Sequence, residues 1–191
     1  MTLSSRTAFL IFNFLGLQVT WAACAYGATH SMPSLGVIVG ITYILLHMIF
    51  TPTRKHDLLI MFSVSIIGVS IDHINTYLGF SSFAEISTTH SVIPFWLITL
   101  WLVFSLMIPH SLNWLGKNTM LAFFLGGFGG SSSYWLGHKL GALTLSEPLS
   151  LSIAIHFIEW AIIFPIAYYL LKIIRQTFVL NELTNSQTTN N

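Results

Sequence analysis

Apolar residues in this chain arrive in long runs, without the three- and four-residue rhythm of a helix that shows one face to water. Six runs approach the roughly 20 residues that an α-helix needs to cross a hydrocarbon core. They cover 7–29, 34–50, 58–78, 94–115, 119–137 and 149–175. The stretches between them, "HSMPS", "TPTRKHD", "GFSSFAEISTTHSVI", "GKN" and "HKLGALTLSEP", carry the Gly, Pro, Ser and Thr of loops. The pattern predicts an all-α polytopic membrane protein, a single six-helix transmembrane bundle over 1–175. The tail 176–191, ending "NELTNSQTTNN", is polar, has little to bury and is expected to be disordered.

Composition agrees with that pattern. The chain is 54% hydrophobic and 7% charged, with a mean hydropathy of +0.76. Soluble domains carry about 25% charged residues, so a water-facing surface cannot be built from this chain. A net charge of +1 and the absence of any basic run exclude a nucleic-acid footprint. With Cys24 as the single cysteine, an intrachain disulfide or a cysteine-based zinc cluster is impossible. Arg6, the following apolar stretch and "TWAAC" up to Cys24 resemble a lipoprotein leader. However, bulky Trp21 stands three residues before the cysteine, and the first run is read as a retained helix.

The Lys/Arg distribution sets an expected orientation. With the N-terminus inside, Arg6, Arg54, Lys55, Lys117, Lys172 and Arg175 lie inside and only Lys139 outside, six of the seven basic residues. The expected topology is N-in, C-in. A rise of 1.5 Å per residue then converts position to depth: Asp72 and His73 lie roughly 21 Å above the inner edge. His156 and Glu159 lie about 10 and 15 Å below the outer edge, in nearly the same layer of a core about 30 Å thick.

Angular position adds to this. Ser65, Gly68, Asp72, Asn75, Thr76 and Gly79 fall within an arc of about 100° on the third helix, with His73 at its border. Ser152, His156 and Glu159 share a face of the sixth helix. The first helix gathers Asn13, Gly16, Thr20, Cys24 and Gly27 on one side, with Gln18 opposite. An aspartate within a bilayer is costly unless paired, protonated or wetted, and interhelical polar contacts return only about 0.6 kcal/mol. Asp72, His73, His156 and Glu159 are therefore the candidate catalytic residues, with Asn13, Asn75 and Tyr134 as candidate substrate-binding groups. A buried polar brace is the bland alternative, with Asp72 on His156 and Glu159 on His73 or an asparagine. The i, i+3 pair of "HFIE" also allows Asp72, His73, His156 and Glu159 to hold zinc or iron.

Other features are weaker. His47 and His110 mark the inner ends of the second and fourth helices and could form a second site with Asn113, although histidines there often serve as anchors. His30, His90 and His138 fall in or near outer loops, with His138 placed to cover a cavity mouth. Gly126 and Gly130 form a GxxxG spacing that favours close helix packing. Cys24 reads as a small packed residue. "NTYLG" (75–79) and "SYWLG" (133–137) each close an outward helix, and each preceding inward helix ends near a histidine, a weak trace of duplicated hairpins.

"FNFLGLQVTWAACAYGA" (12–28), "LLH" ending at His47, "DHINTYLG", "PFWLITLWLVFSLMIPHSLNWL" (94–115) and "GGFGGSSSYWLGHKLGA" (126–142) together resemble the DUF2878 family of small bacterial inner-membrane proteins, whose function is unassigned. The resemblance implies a multi-pass location in the bacterial cytoplasmic membrane, favours lipid chemistry and carries over no catalytic roles. Where the family pattern has a proline-containing "GPxAY", this chain reads "GGSSSY". Three functional classes follow. The first is a membrane-embedded enzyme, or an enzyme's partner, modifying lipid or another apolar substrate. The second is a small proton-linked transporter. The third is a scaffold that recruits a membrane protein or a second copy of itself.

Overall fold

The computed structural model describes residues 3–84 and 93–188, without the side chains of 3, 4, 179 and 181–188. His90 lies outside the described residues. Among the described residues the fold is all-α with six helices: α1 Leu3–Thr29, α2 Ser34–Phe50, α3 Arg54–Tyr77, α4 Phe95–Ser105, α5 Thr119–Leu140 and α6 Leu149–Thr188. Three of them, over Ser5–Thr29, Arg54–Tyr77 and Leu149–Phe178, are long and apolar enough to cross a membrane, and α2 and α4 are shorter apolar helices. Large apolar side chains such as Ile11, Ile38, Leu45, Ile66, Phe128 and Ile158 are exposed on the outside of the bundle. That surface suits acyl chains and would be a liability in water.

Three elements differ from the sequence expectation. The fourth run does not remain helical to 115. Helix α4 stops at Ser105, and successive turns carry the chain to a 3-10 turn at Leu115–Lys117. Pro109 explains the break, because it has no N–H to return to Ser105 O and it disfavours α geometry at Ile108. The ladder shortens there to bonds such as Met107 N to Phe104 O (2.9 Å) and Ile108 N to Ser105 O (3.3 Å). Helix α6 runs on to Thr188, past the expected end at Arg175. No glycine or proline follows Pro165 in α6, so nothing in the sequence ends the helix at Arg175, and beyond it Phe178 sets its ring edge-on to His56 of α3, with centroids 4.2 Å apart.

The third difference is a two-stranded antiparallel ribbon, β1 Ser81–Phe83 on β2 Leu143–Leu145, with Ser81 opposite Leu145. Gly79 (φ 79°) and Gly141 (φ 82°) turn the chain out of α3 and α5 directly into these strands, a left-handed conformation that favours glycine. The backbone N–H of Leu145 donates to His138 Nδ1 at 3.2 Å, so His138 is tied to the ribbon.

Small residues let four helices close on a pair of tryptophans. The rings of Trp101 and Trp160 stack with centroids 4.8 Å apart and planes at 10°. A Cβ added to Gly68 would lie 2.3 Å from Trp101, and one added to Gly130 would lie 2.0 Å from Trp160. Glycine, indole, indole and glycine thus form one transverse layer through α3, α4, α6 and α5. Gly126 in turn faces Phe164, so the GxxxG spacing of α5 serves close packing on α6.

Candidate functional site

Two buried polar clusters flank that tryptophan layer. The first is built on the small-residue face of α3. Asp72, 1% exposed, accepts a hydrogen bond from the Tyr134 hydroxyl through Oδ1 (2.5 Å) and from Trp101 Nε1 through Oδ2 (2.6 Å). One turn further on, Asn75 Nδ2 donates to Glu159 Oε2 at 2.9 Å. His156 lies against Tyr134, with ring centroids 4.3 Å apart. Its Nδ1 is 2.8 Å from Ser152 O. A carbonyl only accepts, so the proton sits on Nδ1 and Nε2 offers a lone pair. That Nε2 is buried and meets no hydrogen-bond partner among the described residues.

The structure thus brings together five of the expected residues: Asp72, Asn75, Tyr134, His156 and Glu159. It leaves out two. His73 is exposed, because a rotation of 100° from an inward-facing Asp72 carries the next side chain out of the bundle. Asn13 is fully buried, but in the second cluster near the other end of the bundle. The expected metal set is corrected with them. Among the described residues, the carboxylate and imidazole atoms close enough to share an ion belong to His47, Asp57 and His110, not to Asp72, His73, His156 and Glu159.

That second cluster gathers at the N-terminal end of α3. Asp57 Oδ2 accepts from His47 Nε2 (3.0 Å), His110 Nε2 (2.9 Å) and the Thr51 hydroxyl (2.5 Å). Oδ1 accepts from the Thr53 hydroxyl at 3.1 Å. Behind His47, Tyr43 Oη lies 3.2 Å from Nδ1 and accepts from Asn13 Nδ2 at 2.9 Å. Asn13 also donates to Leu106 O (3.1 Å) and accepts from the Ser111 hydroxyl (2.5 Å) and N–H (3.2 Å), stitching α1 to the broken stretch after α4. The sequence offered His47 and His110 but paired them with Asn113, which instead accepts from Arg175 at 3.2 Å. Asp57 was missed because it reads as the solvated end of "TPTRKHD". The signal that could have found it is depth: it is the acidic residue at the same end of the bundle as both histidines.

A cavity of about 520 Å³ opens between α1, α4 and α5. Leu97, Leu100, Phe104, Leu125 and Phe164 line it, and Trp101, Trp160 and Tyr134 form the wall behind which Asp72 lies. Trp21 Nε1 donates to the Ser133 hydroxyl (2.9 Å) across the α1–α5 gap.

Helices with apolar exteriors, an interior of buried carboxylates and imidazoles, and a lateral apolar cavity define the class as a polytopic helical membrane protein. The family model described as a protein of unknown function, DUF2878, matches residues 10–166, and the chain belongs to that family. No curated protein and no solved structure matches the chain significantly.

Proposed function

We propose that this protein is a membrane-embedded enzyme, or the substrate-holding partner of one, that acts on the apolar chain of a lipid. The observation that carries the reading is the position of Tyr134. Its ring lines the apolar cavity while its hydroxyl is held by the buried Asp72 carboxylate. Cavities of this size and character suit lipid-sized ligands, and a phenol held by a carboxylate is a group that can give or take a proton there. His156 adds a buried imidazole with a free lone pair beside the same ring. Asn75 and Glu159 extend the polar patch toward α6. His73 has no part in this reading.

In the same reading all six helices cross the bacterial cytoplasmic membrane, N-in and C-in, as the Lys/Arg distribution favours. The Asp57 cluster then lies toward the inner face and the β1–β2 ribbon caps the outer face. Reporter fusions check this part: a reporter active only in the periplasm should work near Gly79 and fail after Arg175, and the opposite result inverts the topology. Lipid profiling of a deletion strain tests the chemistry. Complementation with Asp72→Asn or Tyr134→Phe, each at wild-type protein level, should leave the deletion profile in place. Full rescue by both variants would remove the acid-base role.

A second reading has its own observation. The two donors from Trp101 and Tyr134 bind α4 and α5 to Asp72 of α3, as a purely structural clamp would. A clamp predicts loss of stability without a change in lipid profile once the protein level is matched.

A further inference from the structure

Two imidazole nitrogens, from residues 63 positions apart in the chain, reach the same oxygen of one buried carboxylate. His47 and Asp57 are fully buried, and His110 is 12% exposed. A carboxylate serving only as a tie has two oxygens over which to spread its donors. Here both histidines and Thr51 converge on Oδ2, while Thr53 alone takes Oδ1. The two Nε2–Oδ2 separations are 3.0 and 2.9 Å. Ligand atoms about 2.1 Å from one ion and at right angles to one another are about 3.0 Å apart. The three ligand atoms all lie within 4.8 Å of one another.

The surroundings are those of a ligand set held in place. Thr51 and Thr53 fix the carboxylate. Tyr43 Oη, anchored by Asn13, stands 3.2 Å from His47 Nδ1 and can accept its proton, leaving the Nε2 lone pair for a metal. Phe9 packs against both imidazoles, with ring centroids 5.4 Å from His47 and 5.0 Å from His110, and keeps that side dry. Partly exposed His110 marks the way in.

We propose that His47, Asp57 and His110 bind one divalent first-row transition-metal ion. Two imidazoles and one carboxylate suit iron(II), manganese(II), cobalt(II) or zinc(II), and three protein ligands leave coordination positions open. This goes beyond the reading at Asp72. The two aspartates are separated by about 22 Å of α3, so either site can fail alone.

The test uses the full chain in detergent, purified without an oligohistidine tag, stripped with chelator and titrated with cobalt(II). Wild-type protein should take up one ion per chain and develop visible d–d absorption that zinc(II) abolishes. His110→Gln keeps an N–H donor for Asp57 and so keeps the hydrogen bond, but it loses the imidazole ligand. It should bind cobalt(II) more weakly by about tenfold or more. X-ray absorption of the cobalt-loaded wild type needs no variant and should show imidazole scattering. Wild-type protein that takes up no ion, uptake unchanged in folded His110→Gln, or a bound ion without imidazole scattering would overturn the proposal and leave a hydrogen-bonded brace.

Discussion

Replacing Asp72 by asparagine changes one atom and reverses the logic of its site. Trp101 Nε1 is a donor only, so the amide oxygen of Asp72→Asn must face it. The amide nitrogen then faces Tyr134 Oη, where donor meets donor unless the tyrosine hydroxyl turns away. Tyr134 is 6% exposed, so its turned proton finds no water. An unsatisfied buried donor costs about 1–3 kcal/mol, and the Trp101 bond loses its charge assistance as well, for a total of about 2–4 kcal/mol. In a chain of this length that lowers the melting temperature by about 5–10 °C. Tyr134→Phe alone should cost about 1.5–3 kcal/mol, because it strands Oδ1 of a carboxylate. Added to Asp72→Asn it should cost less than about 1 kcal/mol further, since it exchanges a stranded hydroxyl proton for a stranded amide N–H. The protein supplies its own reporter: Cys24 is its single cysteine and is 1% exposed, so a thiol-reactive dye reads unfolding directly. Asp72→Asn melting with the wild type would refute the reasoning. It would mean that Asp72 is a protonated carboxyl donating to Tyr134, a state the amide copies.

Other perturbations separate packing from chemistry. Gly68→Ala and Gly130→Ala press a methyl group into the stacked indoles and should each cost about 1–3 kcal/mol in the same dye assay. Gly129→Ala, one residue away with nothing within 4 Å of its new Cβ, should be neutral or stabilising by up to about 1 kcal/mol through helix propensity. Asn13→Ala strands Leu106 O, Ser111 and Tyr43 together and should cost about 2–4 kcal/mol, whereas Asn113→Ala, losing one bond to an exposed arginine, should shift melting by less than about 1 kcal/mol.

The helices were legible because burial in oil leaves a coarse signal, a run of apolar residues with loop punctuation. The buried face of α3 was legible too: Ser65, Gly68, Asp72 and Asn75 are all buried, as the 100° arc required. What failed depended on single residues. Pro109 ends the regular part of α4, although the apolar run continues past it unbroken. His73 lies on the border of the polar arc, where a few tens of degrees decide between interior and exterior. Asn13 sits on the correct face of α1 but too near its N-terminus to reach Asp72, a difference in depth along the helix that a shared face does not carry. The Asp57 cluster was the hardest to see, since His47 and Asp57 occupy helix ends and His110 the turns after α4, places where polar residues are expected. Its assembly depends on α2, α3 and the turns after α4 meeting at one edge, a tertiary fact with no local signature.

Both buried aspartates lie on α3, which invites the idea of a proton path from one to the other. The packing between them argues against it. From Asp57 the buried face runs through Ile60, Met61 and Val64 before it reaches Ser65, whose hydroxyl is 3.1 Å from that of Ser105. Eight residues of helix separate Asp57 from Ser65 and seven separate Ser65 from Asp72, about 12 and 10 Å of rise. A hydrogen-bonded hop covers about 3 Å, so each interval would need a file of waters. The space for such a file between Ser65 and Asp72 is taken by Trp101, packed on Gly68 and stacked on Trp160. Vesicles reconstituted with the protein should therefore hold a proton gradient as well as empty vesicles do. Trp101→Ala, which opens a gap in the indole layer, is the variant in which a leak should first appear. A wild-type proton flux that Asp72→Asn abolishes would show that the indoles move aside, and would favour transport over a closed substrate site.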